Sequence, residues 1–235
     1  MSEWRPKRFW TEAAAVAAEG GHGVALDGRP VRTPARAPLV VPARALAEAI
    51  AAEWAAQGQH LAPDTMPLTR TANSAIDRLG EAARPAVVAD LAGYGASDLL
   101  CYRAEAPAEL AARQAADWDP LLDWIAGQGA PLAVTRGVIP VSQPEESLAW
   151  LRARVAGLDP FRLAAFHDLV ALSGSLVIAL AVLDGRVAAE EGWRLSRLDE
   201  DWQIEQWGED EEEARLTASR RAGFLDAARF LALLG

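Results

Sequence analysis

Between Phe9 and Val41 the apolar positions come in short runs broken by glycine and proline, as in Val24-Ala-Leu26, Arg29-Pro-Val-Arg-Thr33 and Leu39-Val-Val41. Runs of that length bounded by turn residues predict strands. Asp27-Gly28 is the pair a tight type I′ hairpin turn demands, because both central residues need positive φ. Pro42 suits the opening of a helix, and Leu46, Ile50 and Trp54 then recur every four residues along one face, which ends by Gly58. Burial is expected for Trp54, since it shares that face.

Beyond Pro63 the rhythm turns helical, with helices predicted around 67–79, 83–93, 107–127, 145–156, 162–183, 187–206 and 211–233. Pro131 to Pro140 is the exception: bounded by prolines and rich in β-branched residues, it reads as an extended excursion. Leu163 to Leu183 is apolar on nearly every side, the pattern of a helix at the centre of a bundle. His167, Asp168, Ser173 and Ser175 interrupt it, which argues against a membrane adaptor inserting this segment. The organisation is α+β, a β-rich unit over 1–62 with one closing helix, followed by a mainly helical bundle over 63–235.

Composition narrows the class. A chain of 235 residues that is 51% hydrophobic can bury one large core or two modest ones, so disorder is not the expectation. A net charge of -10 argues against phosphate backbones and anionic lipid as partners, and so against nucleic acid. The lone Cys101 can form no internal disulfide, which fits a reducing cytoplasm. Charges and tryptophans fill Met1 to Trp10 where a signal peptide needs an apolar run.

Chemistry is sparse. Lys7 is the only lysine, and no Gly-x-x-x-x-Gly-Lys loop precedes it, so neither a phosphate loop nor Schiff-base chemistry is supported. His22, His60 and His167 stand singly, without metal-ligand spacing. A hydrolase using His167 with Ser173 or Ser175 is the catalytic alternative, but no strand-to-helix elbow surrounds those serines. The blander reading puts His167 at the polar start of a helix, bonds the serines to their own backbone, and uses Gly174 for close helix approach. Cys101 reads as a small buried hydrophobe.

Acid is what stands out: nine carboxylates lie between Arg197 and Arg215 with no basic residue among them. Glu211 to Glu213 suit the first turn of the last helix, whose positive end they stabilise. Asp199, Glu200, Asp201 and Glu205 alternate with Trp202 and Trp207, and aromatic anchors beside fixed charge are what protein interfaces use. The residues alone leave a solvated face and an interface equally open.

Several strings, in order and spacing, resemble the family of assembly chaperones for the alpha subunit of the ATP synthase catalytic head, found in mitochondria and some bacteria. They are Arg8-Phe9-Trp10, Leu26-Asp27-Gly28-Arg29 with Thr33-Pro34, Val41-Pro42, Ala52-Glu53-Trp54, Met66-Pro-Leu-Thr69, Asp98-Leu-Leu-Cys-Tyr-Arg103, Trp118-Asp119-Pro120-Leu121, and Ser196 to Gln203 with Trp207-Gly208. The resemblance implies a small α+β domain followed by an orthogonal helical bundle, no cofactor and no reaction. It implies a cytoplasmic bacterial protein with relatives in the mitochondrial matrix, a monomer that holds the free alpha subunit until the beta subunit replaces it. Asp199 and Asp201 fall within the shared string and carry the implied partner-binding role, with Glu200, Trp202, Glu205, Trp207 and Gly208 as their neighbours.

Overall fold

The computed structural model describes residues 6–137 and 139–235. Residues 1–5 of the charged start, and Val138 of the proline-bounded segment, lie outside them. The chain divides into two compact units: one runs to Arg84 and adds 159–165 and 229–235, the other comprises 85–158 and 166–228.

In the first unit, strands β1 (Ala13–Ala18), β2 (Gly21–Leu26), β3 (Arg29–Pro30) and β4 (Val40–Val41) form an antiparallel sheet in which β2 pairs with the other three. Asp27 at φ 46° and Gly28 at φ 77° make the expected primed turn. The Asp27 carboxylate also accepts the amides of Thr11 at 3.0 Å and Glu12 at 2.8 Å, which ties the turn to the start of β1. Helix α1 (Arg44–Ala55) begins just after Pro42 and lies on the sheet, with Leu46 and Ile50 fully buried. Trp54 is only half-buried, its ring 5.2 Å from that of the buried Trp10. Arg8 donates to the carbonyls of Ala55 at 3.1 Å and Gln57 at 2.6 Å, placing a cation at the negative end of α1.

This unit runs on past residue 62 because α1 caps the next helix. The start of α2 (Pro67–Arg78) has amides without intrahelical partners. Glu53 of α1 accepts from the amides of Leu68 at 2.7 Å and Thr69 at 2.8 Å, and from the Thr69 hydroxyl at 2.7 Å.

The second unit is mainly helical: most of α3 (Arg84–Gly93), α4 (Ala108–Gly127), α5 (Glu145–Ala156), most of α6 (Pro160–Ser173), α7 (Leu176–Leu183), α8 (Ala189–Ser196), α9 (Leu198–Trp207) and most of α10 (Glu211–Leu234). The proline-bounded excursion is extended: β6 (Thr135–Arg136) pairs in parallel with β5 (Tyr102–Arg103).

Two helices predicted as continuous are each divided. The 162–183 segment breaks at Gly174, which takes φ 68° and turns the chain between α6 and α7. A Cβ at Gly174 would meet no atom within 4 Å, so its role is the positive φ and not the close approach expected of it. The break leaves buried amides at the start of α7, which must find acceptors. Ser175 caps them, its Oγ accepting from the Ile178 amide at 3.0 Å and donating to Asp98 at 2.7 Å. Asp98 also accepts from the amides of Val177 at 3.0 Å and Leu100 at 3.1 Å. Burial pushes the Asp98 carboxyl above its ordinary range, while these donors pull it back. Likewise 187–206 is interrupted at Arg197, where α8 ends and α9 begins.

Candidate partner-binding site

Position in α9 sorts the acidic residues. Asp199, Glu200 and Asp201 occupy its first turn, whose positive end has no side-chain cap. Trp202 is half-buried, and Trp207 at the other end is 80% exposed. Gly208 takes φ 86° and stops the helix before α10 starts at Glu211. The Asp210 carboxylate caps that last helix, accepting from the amides of Glu212 at 2.9 Å and Glu213 at 3.1 Å, and Glu211 to Glu213 occupy its first turn as expected.

The helical repeat sends the predicted residues to different faces. One set is held by α4. Gln114 donates to Asp199 at 2.7 Å, and Arg113 reaches both oxygens of Glu205 at 2.8 and 2.9 Å. Trp118, fully buried one turn further along α4, donates its indole N–H to the carbonyl of Leu195 at 2.9 Å, pinning the end of α8 that leads into α9. The other set, Glu200, Trp207 and Gly208, lines a groove of about 280 Å³ with Arg197, Ile204 and Glu213, Ile204 falling between Glu200 and Trp207 at the i, i+4, i+7 spacing. Arg197 is 5% exposed and donates to Glu200 at 3.1 Å.

Electrostatics differ along α9. Burial raises Asp199, against a hydrogen bond from Gln114 and the charge of Arg103. Burial also raises Asp201, with Arg197 and Arg113 opposing and Glu200 and Glu205 adding to the shift. Among the described residues none donates a hydrogen bond to the Asp201 carboxylate, so its charge is balanced only at a distance.

Arg113 and Gln114 are the supporting residues that sequence reading missed. A signal for Gln114 existed: with Trp118, Leu121 and Ile125 it falls on the buried stripe of α4, and a polar group there needs a partner.

The catalytic alternative finds its groups engaged elsewhere. His167 lies in the middle of α6, not at its start, half-exposed and 3.1 Å from Asp168, whose hydrogen bond raises its pKa. The Ser173 hydroxyl donates to the Leu169 carbonyl at 2.6 Å, as expected of a helical serine, and Ser175 is committed to Asp98. Burial pushes the Cys101 thiol up to about 12, so it is no thiolate near neutrality. Among the described residues, no helix is long and apolar enough to cross a membrane, and no three His, Cys, Asp or Glu side chains could hold a metal ion.

A small antiparallel sheet with one helix on it, joined in sequence to a helical unit, is the fold of a chaperone of known structure. The crystal structure of Atp12 from Paracoccus denitrificans matches with a TM-score of 0.93 and 51% identity over 97% of this chain and 98% of that one. An aspartate-to-lysine variant of the Paracoccus protein matches with the same TM-score and coverage at 50% identity. Protein atp12, mitochondrial, of Schizosaccharomyces pombe is 26% identical over 214 residues, 86% of this chain and 74% of that protein. The family described as ATP12 chaperone protein matches residues 7–126, and the chain belongs to that family.

Proposed function

We propose that this ATP12-family chaperone serves ATP synthase assembly by binding the free alpha subunit of the catalytic head, keeping it from aggregating until the beta subunit joins. No bond is made or broken. An unassembled subunit exposes an apolar surface that its neighbour will later bury, and such surfaces aggregate when left uncovered. A holder must cover that surface and still release it.

The observation that carries the reading is Trp207, a tryptophan 80% exposed at the end of a helix lined with carboxylates. A large aromatic left in water costs solubility unless a partner uses it. Glu200 and Gly208 share its groove, while Asp199, Asp201, Trp202 and Glu205 are carried on the remaining faces of the same helix. The tryptophans supply apolar contact, and the acids orient basic side chains of the client and speed its approach. Membership of the chaperone family supports the same role.

The test is to reverse charge at Asp199 and Asp201 with lysine, and to measure capture of the alpha subunit by pull-down together with the circular dichroism melt. Capture is expected to fall while the chain still melts cooperatively. Undiminished capture removes both residues from the interface, and a collapsed melt makes them structural. Co-expression with each ATP synthase subunit in turn identifies the client, and the alpha subunit is the one expected to be kept soluble.

A further inference from the structure

We propose that the free edge of β1 is a docking site for an extended polypeptide segment of small and β-branched residues flanked by lysine or arginine. β1 lies at the rim of the sheet and pairs with β2 on one side only. Its outward backbone groups make no hydrogen bond to any described residue. In an edge strand every second residue turns both its N–H and its C=O outward, so β1 presents a row of unpaired donors and acceptors. Natural sheets guard such rows with a lysine, a proline or a bulge inside the strand. β1 has none of these: it reads Ala-Ala-Ala-Val-Ala-Ala, and its register with β2 runs unbroken from Ala13 opposite Leu26 to Ala18 opposite Gly21. Small side chains let another backbone approach, and Val16, 37% exposed, offers an apolar contact.

Charge selects the occupant. Glu12 and Glu19, both exposed, bracket the strand. A second copy laid along the edge in either direction brings glutamate beside glutamate at both ends, and each copy carries a net charge of -10. An edge of six residues also falls well short of the burial, about 1,200 Å², that a stable protein interface needs. A foreign strand with a basic residue at each end instead turns both glutamates into cross-strand ion pairs. Its main chain supplies the affinity by adding a strand to the sheet. This site shares no residue with α9, and its test uses no alpha subunit, so failure of either reading leaves the other standing.

The probe is the synthetic peptide acetyl-Lys-Val-Thr-Val-Thr-Val-Thr-Lys-amide, compared with the same peptide carrying glutamate at both ends. Each is titrated into the full nitrogen-15-labelled chain and into the Glu12→Lys, Glu19→Lys double variant. Saturable amide shifts centred on residues 12–19 are expected for the lysine-flanked peptide with the native chain. Its affinity is expected to fall roughly tenfold with the double variant, which should prefer the glutamate-flanked peptide. The native chain alone discriminates between the two peptides, so the test stands even where the double variant melts early. Shifts absent from residues 12–19, equal affinity for both peptides, or a native chain that sediments as a dimer through β1 would each overturn the proposal.

Discussion

At Asp199 two demands oppose each other. Gln114 gives the carboxylate one hydrogen bond, but partial burial raises its pKa above the ordinary 3.8. The folded chain therefore holds this proton more tightly than the unfolded chain. Stability from that preference is complete below the unfolded value and is lost as pH rises through the folded one, so at neutral pH the ionised group is a net cost. Asp199→Asn keeps an acceptor for Gln114 and is expected to melt above the native chain at neutral pH. The gap should close as pH falls below the ordinary carboxylate value of 3.8. Thermal melts across that range check this, and a variant that melts lower at neutral pH would show that the charge itself holds α9 in place. A carboxylate held at a cost to stability fits the partner-binding role proposed for Asp199. The acid itself was legible in the sequence as part of a run. Its partner was not, because Gln114 lies 85 residues away and only the packing of α4 on α9 joins them.

At the scale of elements, periodicity was readable wherever one face of a helix meets a core, and Asp27-Gly28 announced its turn through backbone chemistry alone. Breaks inside apolar stretches were not readable, because Leu169, Val170, Leu176 and Val177 are all buried and the hydrophobic pattern runs through the turn without a change. Ser173-Gly174-Ser175 held the signal, a positive-φ residue followed by a helix cap, but the apolar context outweighed it. Close packing belongs not to Gly174 but to glycines such as Gly192 of α8, where a Cβ would lie 2.6 Å from Cγ2 of Val182. The two glycines therefore separate by rescue. Gly174→Ala is expected to cost about 1–2 kcal/mol through backbone strain alone, which no truncation of a neighbour relieves. Gly192→Ala is expected to cost roughly 1–3 kcal/mol by overpacking, and Val182→Ala in the same chain should recover part of that loss. Urea unfolding of Gly174→Ala and Gly192→Ala, each alone and with Val182→Ala, and of Val182→Ala by itself distinguishes the cases, and equal rescue of the two would refute the distinction.

For the whole molecule, the field that a client meets first is set by a net charge of -10, whereas the contacts that hold it belong to single side chains. These act on different rate constants. Charges spread over the surface work at distances comparable to the Debye length, about 10 Å at 0.1 M salt, and so change how fast partners meet. A buried aromatic contact forms only after docking and so changes how long they stay together. Glu209 and Glu213 line the groove beside Trp207, and reversing either to lysine removes two units of the net charge of -10. The double reversal is expected to slow association with the alpha subunit and to flatten its dependence on salt, while leaving dissociation nearly unchanged. Trp207→Ala should do the opposite, speeding dissociation roughly tenfold or more with association close to that of the native chain. Both arms are read from stopped-flow association and competitor-chase dissociation at several salt concentrations. If Trp207→Ala slows association and spares dissociation, the tryptophan is not an anchor in the bound state, and the groove beside it loses its place in the interface.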